Sequence, residues 1–170
     1  MKKIQAFFTD VDGCLTDGRL HVGDRETGVT FHIQDGVGQR LMEAAGVPVL
    51  WLSGRRSRAV ARRARMLGVR CLYLGHLEKI RTAERICRAR GWKLSEVAFL
   101  GDDLIDLPLL RRVGYPLAPA DARPEVRRVA RYVTRAPGGQ GAFREAVEKV
   151  LKDQGCWAQT VDAYLKKALQ

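Results

Sequence analysis

Long apolar runs and paired cysteines are both missing from this sequence of 170 residues. No stretch reaches the roughly 20 apolar residues that a membrane-spanning helix needs, and the first residues lead into a short strand pattern instead of a signal-peptide core. We therefore expect a cytoplasmic protein with no membrane partner. The four cysteines stand singly, without a C-x-x-C pair, which argues against a zinc site and a disulfide framework. We expect them to be small buried apolar residues, except Cys156, which we expect to be exposed.

Acidic residues are few relative to basic ones. The 30 lysines and arginines face 19 aspartates and glutamates, which gives a formal charge of +11 and raises the question of a polyanionic partner. The basic residues between positions 55 and 65 and between 81 and 90 alternate with apolar residues at helical spacing, which is typical of the solvated faces of amphipathic helices. Because no binding motif accompanies the charge, we expect no specific nucleic-acid partner. Steering of an anionic small molecule stays open.

Strand-like apolar runs alternate with helical patterns along most of the chain. This order predicts an α/β fold of three layers, in which a mostly parallel, Rossmann-like sheet is covered by helices on both faces. The predicted strands are 4–10, 47–52, 71–74, 97–100, 115–118 and 132–134. The predicted helices are 36–45, 57–67 with Ser57 as its cap, 77–90, 105–112, 124–130, 141–153 and 157–168. The chain length predicts one domain over 1–153, followed by a helical extension over 154–170.

Two segments depart from the alternation. Residues 19–33 alternate apolar and polar side chains around the turn-prone segment 24–27, which predicts a β-hairpin. A hairpin that stands off a parallel sheet cannot bury both its faces in one small domain, so we expect an oligomer contact there. In the extension, the spacing of Val161, Leu165 and Ala168 predicts an amphipathic helix that packs on a neighbour.

Two carboxylates lie two residues apart at the end of the first predicted strand. Asp10 and Asp12 face the same side of an extended chain, and Gly13 allows a sharp turn directly after them. Neighbouring carboxylates repel unless a cation lies between them. Mg²⁺ is the simplest hard cation with oxygen ligands, and a carboxylate beside it suits phosphate chemistry. For this motif alone, a solvated turn is the alternative.

Polar residues also follow the other predicted strands. Ligands gather at the carboxyl ends of parallel strands, so we expect these residues to surround one crevice. They are Ser53, Gly54 and Arg55 after the second strand, Lys79 after the third, and Asp102, Asp103 and Asp106 after the fourth.

Each residue type has a task in phosphoryl transfer. Asp10 can attack phosphorus, and Asp12 can give and take the proton. Ser53 and the backbone N–H groups after it can hold a phosphate oxygen, and Lys79 can neutralise the phosphoryl charge. Asp102, together with Asp10 and the Asp12 carbonyl, can hold Mg²⁺.

The other two acids are open to two interpretations. Asp103 and Asp106 can order the waters of the metal or orient Lys79, and they can equally cap a helix beside the Gly101 turn. Taken singly, Ser53 suits a turn and Lys79 a surface position. Their order on successive strands favours a shared site.

The motifs resemble those of the haloacid dehalogenase-like phosphatases, whose ordered signature is D-x-D, then Ser or Thr, then Lys, then an acidic pair. Over about residues 4–151 the chain is most similar to a capless subfamily, through Thr16-Asp17-Gly18, 31–36, 132–135 and 138–141. The resemblance implies Mg²⁺-dependent hydrolysis of a phosphorylated sugar acid, the eight-carbon acid of lipopolysaccharide, through an aspartyl phosphate. It also implies a homotetramer in which the hairpins pack together.

The intervals between the motifs leave no room for a cap domain. A capless site lies open to water, which weakens its electrostatics, so a neighbouring subunit or the glycine loop 138–141 must cover it. Arg55 and Arg135 can then pair with the substrate carboxylate, although surface ion pairs are the alternative. Gly139 belongs to the covering loop. Relatives often show Gly-Gly-Arg-Gly where this chain has Gln140, so one cation for the sugar acid is missing.

Two non-enzymatic functions and two other phosphatase activities compete with this interpretation. A response-regulator receiver also clusters aspartates, a hydroxyl and a lysine. In its chain order the phosphorylated Asp lies on a middle strand and the Lys comes last. Here Asp10 lies on the first strand, and an acidic pair follows Lys79. A second alternative is a tetramerising module that has the same fold but no catalytic activity. Within the phosphatases, nonulosonate 9-phosphates and a broader range of sugar phosphates are alternative substrates.

Overall fold

The computed structural model describes residues 2–22 and 27–169. Its strands are β1 (Ala6–Asp10), β2 (His21–Val22), β3 (Thr27–Gly28), β4 (Val49–Ser53), β5 (Cys71–Leu74), β6 (Val97–Leu100), β7 (Tyr115–Ala118) and β8 (Tyr132–Val133). Its helices are α1 (Ile33–Ala44), α2 (Arg58–Leu67), α3 (Lys79–Arg90), α4 (Leu107–Leu110), α5 (Pro124–Val129), α6 (Ala142–Asp153) and α7 (Trp157–Ala168). Short 3₁₀ turns at Leu94–Glu96 and Leu104–Asp106 precede β6 and α4.

Six strands form one sheet in the order β5-β4-β1-β6-β7-β8. Every neighbouring pair is parallel, as the alternation of strands and helices predicts. Strand β1 lies in the middle, with Asp10 level with Leu52 of β4 and Thr9 level with Leu100 of β6. The carboxyl ends of the central strands therefore meet at one edge, where ligands bind in sheets of this kind.

Both faces of the sheet are buried, which confirms the three-layer α/β architecture. Successive side chains of a strand point to opposite faces. Phe7 accordingly joins the core beneath α1 and α6, whereas Phe8 joins the core beneath α3, α4 and α5. Because each strand must fill both cores, the strands are continuous apolar runs.

The predicted hairpin is shorter than expected. Strands β2 and β3 form a separate antiparallel sheet of two residues each, and Asp24, Arg25 and Glu26 of the predicted turn lie outside the described residues. The extension of the hairpin to residue 33 is wrong, because Val29 and Phe31 pack on the core instead of pairing as strand and α1 already begins at Ile33. Between Asp12 and the start of β4 the described residues hold only β2, β3 and α1, so no cap domain is inserted there.

Most helix ends follow their predicted signals. Ser57 accepts a hydrogen bond from the backbone N–H of Val60 at the start of α2, and Gly91 ends α3 in the left-handed conformation. The helix predicted over 105–112 divides into a 3₁₀ turn and the single turn α4, because Asp103 caps the former and Pro108 opens the latter. Helix α3 begins at Lys79, two residues later than predicted, since Gly75 has a positive φ and the N–H of His76 bonds to Ser53.

Helix α7 packs on α1 and α6 of its own chain. Trp157, Val161 and Tyr164 face that core, and Lys167 lies 3.4 Å from Glu43 of α1. The neighbour of the extension is therefore the body of the same chain.

The four cysteines are free thiols. Cys14 and Cys87 are buried as expected, whereas Cys71, expected to be buried, and Cys156, expected to be exposed, are both half-buried. No disulfide joins these four residues, all of which the structure describes. Across residues 2–22 and 27–169, none of the helices combines the length and apolar character that crossing a bilayer requires.

Candidate active site

A buried lysine joins two aspartates at the carboxyl edge of the sheet. Lys79, the first residue of α3, has its Nζ 2.8 Å from Oδ1 of Asp10 at the end of β1 and 2.6 Å from Oδ1 of Asp106. The Lys79 side chain is only 2% exposed, and that of Asp106 is fully buried. Buried charges of this kind persist only when they are paired and hydrogen-bonded.

A third carboxylate completes the cluster. The second oxygen of Asp106 accepts the backbone N–H of Asp102 at 3.1 Å, which fixes the turn after β6. Carboxylate oxygens of Asp10, Asp102 and Asp106 all lie within 4.8 Å of one another. Three acids therefore converge around a single lysine.

The electrostatics of the cluster follow from this imbalance. Burial raises the pKa of Asp10 to about 7, although Lys79 acts in the opposite direction. Burial and repulsion from Asp10 and Asp106 raise the pKa of Asp102 to about 8. Burial by itself would lower the pKa of Lys79, but the two aspartates outweigh it and hold that pKa above its ordinary value. Lys79 therefore remains a cation, and one cation does not balance three carboxylates.

The donor set fits a divalent cation. Hard ions such as Mg²⁺ bind carboxylate and carbonyl oxygens. A second positive centre would offset the burial and the mutual repulsion that raise the pKa values of Asp10 and Asp102. The backbone also leaves space for close approach. Gly13 has a φ of +88°, and a Cβ at this position would collide with the carboxylate of Asp102, so glycine brings the loop after β1 directly onto the acid.

Asp12 has different partners from Asp10. Its carboxylate accepts from Arg55, with Nη2 at 2.8 Å and Nε at 3.2 Å, and from the Ser53 hydroxyl at 3.2 Å. Ser53 is buried at the end of β4 and in turn accepts the backbone N–H of Arg55 at 3.1 Å. Asp12, Ser53 and Arg55 thus form one hydrogen-bonded network beside the lysine cluster. Gly54 lies in the turn between Ser53 and Arg55.

The side chains or backbones of three other predicted site residues have their own partners. Asp103 is exposed, and its carboxylate accepts the N–H of Leu104 at 2.7 Å, which is the helix-cap alternative for this residue. The Arg135 side chain is 93% exposed and pairs with Glu145 at 3.4 Å. Gly139 lies against the loop after β1, where its N–H donates to the Cys14 carbonyl at 3.0 Å.

Two features of the site had no clear signal in the sequence. Asp106 is a full partner of Lys79, yet an acid three residues after Asp103 has the same pattern as a helix cap. Cys14 is buried with its Sγ 3.8 Å from Asp102, and burial raises the pKa of its thiol. Its position two residues after Asp12 was the only available hint.

Comparison with known proteins agrees with this geometry. A sequence profile described as haloacid dehalogenase-like hydrolase matches residues 72–142. The fold and the acid-lysine site together define a haloacid dehalogenase-like hydrolase. The 3-deoxy-D-manno-octulosonate 8-phosphate phosphatase KdsC of Haemophilus influenzae is 38% identical over 156 residues, which cover 91% of this chain and 87% of that protein.

Solved structures give the same result. The Moraxella catarrhalis 3-deoxy-D-manno-octulosonate 8-phosphate phosphatase, crystallised with magnesium ion, phosphate ion and KDO, superposes with a TM-score of 0.90 at 32% identity, covering 95% of this chain and 93% of that one. The Yersinia pestis enzyme of the same name gives 0.88 at 35% identity, covering 91% and 84%. This chain belongs to the family of 3-deoxy-D-manno-octulosonate 8-phosphate phosphatases, which confirms the resemblance drawn from its motifs.

Proposed function

We propose that this protein hydrolyses 3-deoxy-D-manno-octulosonate 8-phosphate to the free sugar acid and phosphate, a step in lipopolysaccharide precursor synthesis. The observation that carries the proposal is the convergence of Asp10, Lys79, Asp102 and Asp106 at the carboxyl edge of the sheet. The relatives named for this reaction support the choice of substrate.

In the first step Asp10 acts as the nucleophile. One of its carboxylate oxygens bonds to phosphorus while the bond from phosphorus to the sugar oxygen breaks. That oxygen leaves with a proton supplied by Asp12. Lys79, 2.8 Å from Asp10, orients the attacking carboxylate and favours its ionised form.

In the second step water resolves the aspartyl phosphate. Asp12, now ionised, accepts a proton from the water as its oxygen bonds to phosphorus, and the bond between phosphorus and Asp10 breaks. Phosphate leaves and Asp10 regains its carboxylate. The same residue thus serves as acid and then as base, so the proton balance closes over one turnover.

Mg²⁺ is the cofactor that this donor set suits. Asp10 and Asp102 would hold it together with the Asp12 carbonyl, with Asp106 beside them. When bound, the ion supplies positive charge that stabilises the phosphoryl oxygens. Ser53 and the N–H groups after it, including that of Gly54, would hold a phosphate oxygen at the turn before α2.

Recognition of the sugar acid falls to two arginines. Arg55 presents a planar guanidinium suited to a carboxylate. The Arg135 guanidinium is exposed, and it pairs with Glu145 at 3.4 Å. Gly139 would contribute backbone to the rim of the site. Asp103, as the cap of the 3₁₀ turn Leu104–Asp106, would support the turn that carries Asp106.

A phosphate-release screen tests the proposed reaction. With Mg²⁺ present, we expect the eight-carbon 2-keto sugar acid phosphate to turn over faster than nine-carbon sugar acid phosphates and hexose phosphates. Comparable rates on all three classes would leave a general phosphatase. A protein that retains label from a phosphate donor without turnover would behave as a receiver, and a tetramer without turnover would be a structural module.

We also propose a homotetramer in which the hairpins of the subunits pack together. Strands β2 and β3 stand apart from the main sheet, and Val22 is 82% exposed there with Leu20 also exposed. An isolated two-stranded hairpin is marginal in water. Light scattering should give the mass of four chains, and Val22→Asp should lower it. A monomeric wild-type protein would refute this assembly.

The location that we propose is cytoplasmic. The four thiols are unpaired, which suits a reducing compartment. Cell fractionation with a periplasmic marker tests this, and recovery of the protein with the periplasmic marker would contradict it.

A further inference from the structure

We propose that Asp35 is a positioning residue: from helix α1 it caps helix α6, and thereby holds the glycine loop 138–141 against the catalytic loop 13–17. The effect on turnover rests on the proposed function of the site. The mechanical coupling between the two loops does not.

The start of α6 lacks a cap of its own. Its N-cap residue is Gly141, which has no side chain, and the first N–H groups of a helix have no partner within that helix. Asp35 supplies the partner from far away in sequence, since its Oδ1 accepts the backbone N–H of Arg144 at 2.8 Å. A carboxylate at this end also interacts favourably with the helix dipole.

The two helices approach closely beside this bond. A Cβ at Gly38 would lie 3.2 Å from the ring of Phe143 and 3.3 Å from the Cα of Arg144. Phe143 is fully buried and packs edge-on against Phe7 of β1 at 5.3 Å between ring centroids. The position of the α6 start is thus defined by α1 and by the central strand.

The loop before α6 rests directly on the catalytic loop. The N–H of Gly139 donates to the Cys14 carbonyl at 3.0 Å, and that of Gly138 donates to Asp121 at 2.9 Å. A Cβ on Gly138 would collide with the Gly13 carbonyl oxygen, so the two backbones are in contact. Displacement of α6 therefore transmits to the residues that follow Asp12.

Asp35 is a costly cap. It is only 4% exposed, and its Oδ2 has no hydrogen-bond partner among the described residues. Burial raises its pKa to about 6 against the opposing effect of the Arg144 N–H. A neutral amide would offer the same acceptor without the burial of a charge. The carboxylate provides in exchange a stronger, charge-assisted hydrogen bond to the α6 start.

The test compares three variants of the full chain. Asp35→Ala removes the cap, and Asp35→Asn keeps the acceptor without the charge. Gln154→Ala is the matched control: it removes a long-range acceptor at the other end of α6, where Gln154 accepts the N–H of Ile4 at 2.9 Å. All are measured for melting temperature, kcat and KM, and for hydrogen exchange over the loops 13–17 and 138–141.

We expect Asp35→Ala to speed exchange in both loops and to lower kcat roughly 10- to 100-fold with little change in KM, because reacting groups misplaced by about 1 Å cost this much. Asp35→Asn should have a loop exchange rate and a kcat between those of Asp35→Ala and the wild type. Gln154→Ala should have a lower melting temperature than the wild type, with unchanged hydrogen exchange in both loops and unchanged kcat.

Two results would overturn the inference. One is wild-type exchange in both loops of Asp35→Ala, or of Asp35→Asn should the alanine variant not fold. The other is a fall in kcat in Gln154→Ala as large as that in Asp35→Ala, when both variants lower the melting temperature by the same amount. A wild-type protein that releases no phosphate would refute the proposed function instead, while the exchange experiment would still decide the coupling of the loops.

Discussion

Arg55 and Asp12 form a two-point ion pair, with Nη2 2.8 Å from Oδ1 and Nε 3.2 Å from Oδ2. The guanidinium therefore neutralises the carboxylate that we assign to proton transfer. The pair is part-buried, with side chains 38% and 23% exposed, so a substrate carboxylate can compete for the same guanidinium. Arg55 links recognition of the sugar acid to the state of Asp12.

Substitution of Arg55 should discriminate between substrates. We expect Arg55→Ala to lower kcat/KM for the sugar acid phosphate by about 10- to 100-fold, the value of a hydrogen bond to a charged group. A smaller loss is expected for p-nitrophenyl phosphate, which has no carboxylate. Arg55→Lys keeps the charge without the planar fork and serves as the control. Equal losses on both substrates would show that Arg55 acts on Asp12 alone.

Removal of the nucleophile should abolish turnover without unfolding the protein. Asp10→Asn keeps the shape of the side chain, and we expect kcat to fall by on the order of 10³-fold or more, as for other members of a catalytic unit. Circular dichroism and melting should show an intact fold. Asp162→Asn, an exposed change on α7, is the control. Substantial residual activity in Asp10→Asn would refute the nucleophile assignment.

Lys79 should be important for stability as well as for activity. Lys79→Met leaves Asp10 and Asp106 without their cation, and breaking a buried pair costs about 3–5 kcal/mol of unfolding free energy. Urea denaturation at pH 8 measures the loss. The control is Lys167→Met, whose exposed pair with Glu43 should contribute less than about 1 kcal/mol. Similar losses in the two variants would contradict the charge imbalance described for the cluster.

Divalent cations should stabilise the folded protein. At a concentration 100 times the dissociation constant, bound Mg²⁺ contributes about 2.7 kcal/mol. We therefore expect a higher melting temperature with Mg²⁺ than with a chelator, and a reduced shift in Asp102→Asn. A melting temperature independent of every divalent cation would show that the three carboxylates hold no metal.

Asp35 should make stability depend on pH. Its pKa is raised from 3.8 to about 6 in the folded protein, so between these values the folded state holds a proton that the unfolded state releases. Its contribution to stability is complete below pH 3.8 and is lost as the pH rises through 6. The imidazole of His32 and the guanidinium of Arg144 are the ionisable groups that face it. Asp35→Asn does not titrate, so we expect its stability relative to the wild type to improve from pH 4 to pH 7.5 in urea denaturation. A difference independent of pH would contradict this assignment.

Much of the fold was predictable because local signals and packing agree. The strands of a sheet covered on both faces are apolar throughout, and the buried pattern of β1 and β4 repeats what their sequences show. Asp10, Ser53 and Lys79 were likewise placed by the rule that ligands gather at carboxyl ends. The hairpin boundary was missed because Val29 and Phe31 alternate for packing against the core and not for pairing.

The partners within the site were less accessible to sequence. The pairing of Asp12 with Arg55 depends on side-chain geometry at the turn after β4. Asp106 and Asp103 have the same local pattern, yet one is fully buried on Lys79 and the other is exposed. The bond from Asp35 to Arg144 spans 109 positions, and no local periodicity carries such information.

The single direction of the six strands separates reactive and inert ends of the molecule. The turns at Gly46 and Gly91 lie at the amino edge of the sheet, and a Cβ at either position would meet no atom within 4 Å. These two turns are therefore suitable places for an affinity tag or for attachment to a solid support. An enzyme immobilised through them would present its substrate entrance to the surrounding medium.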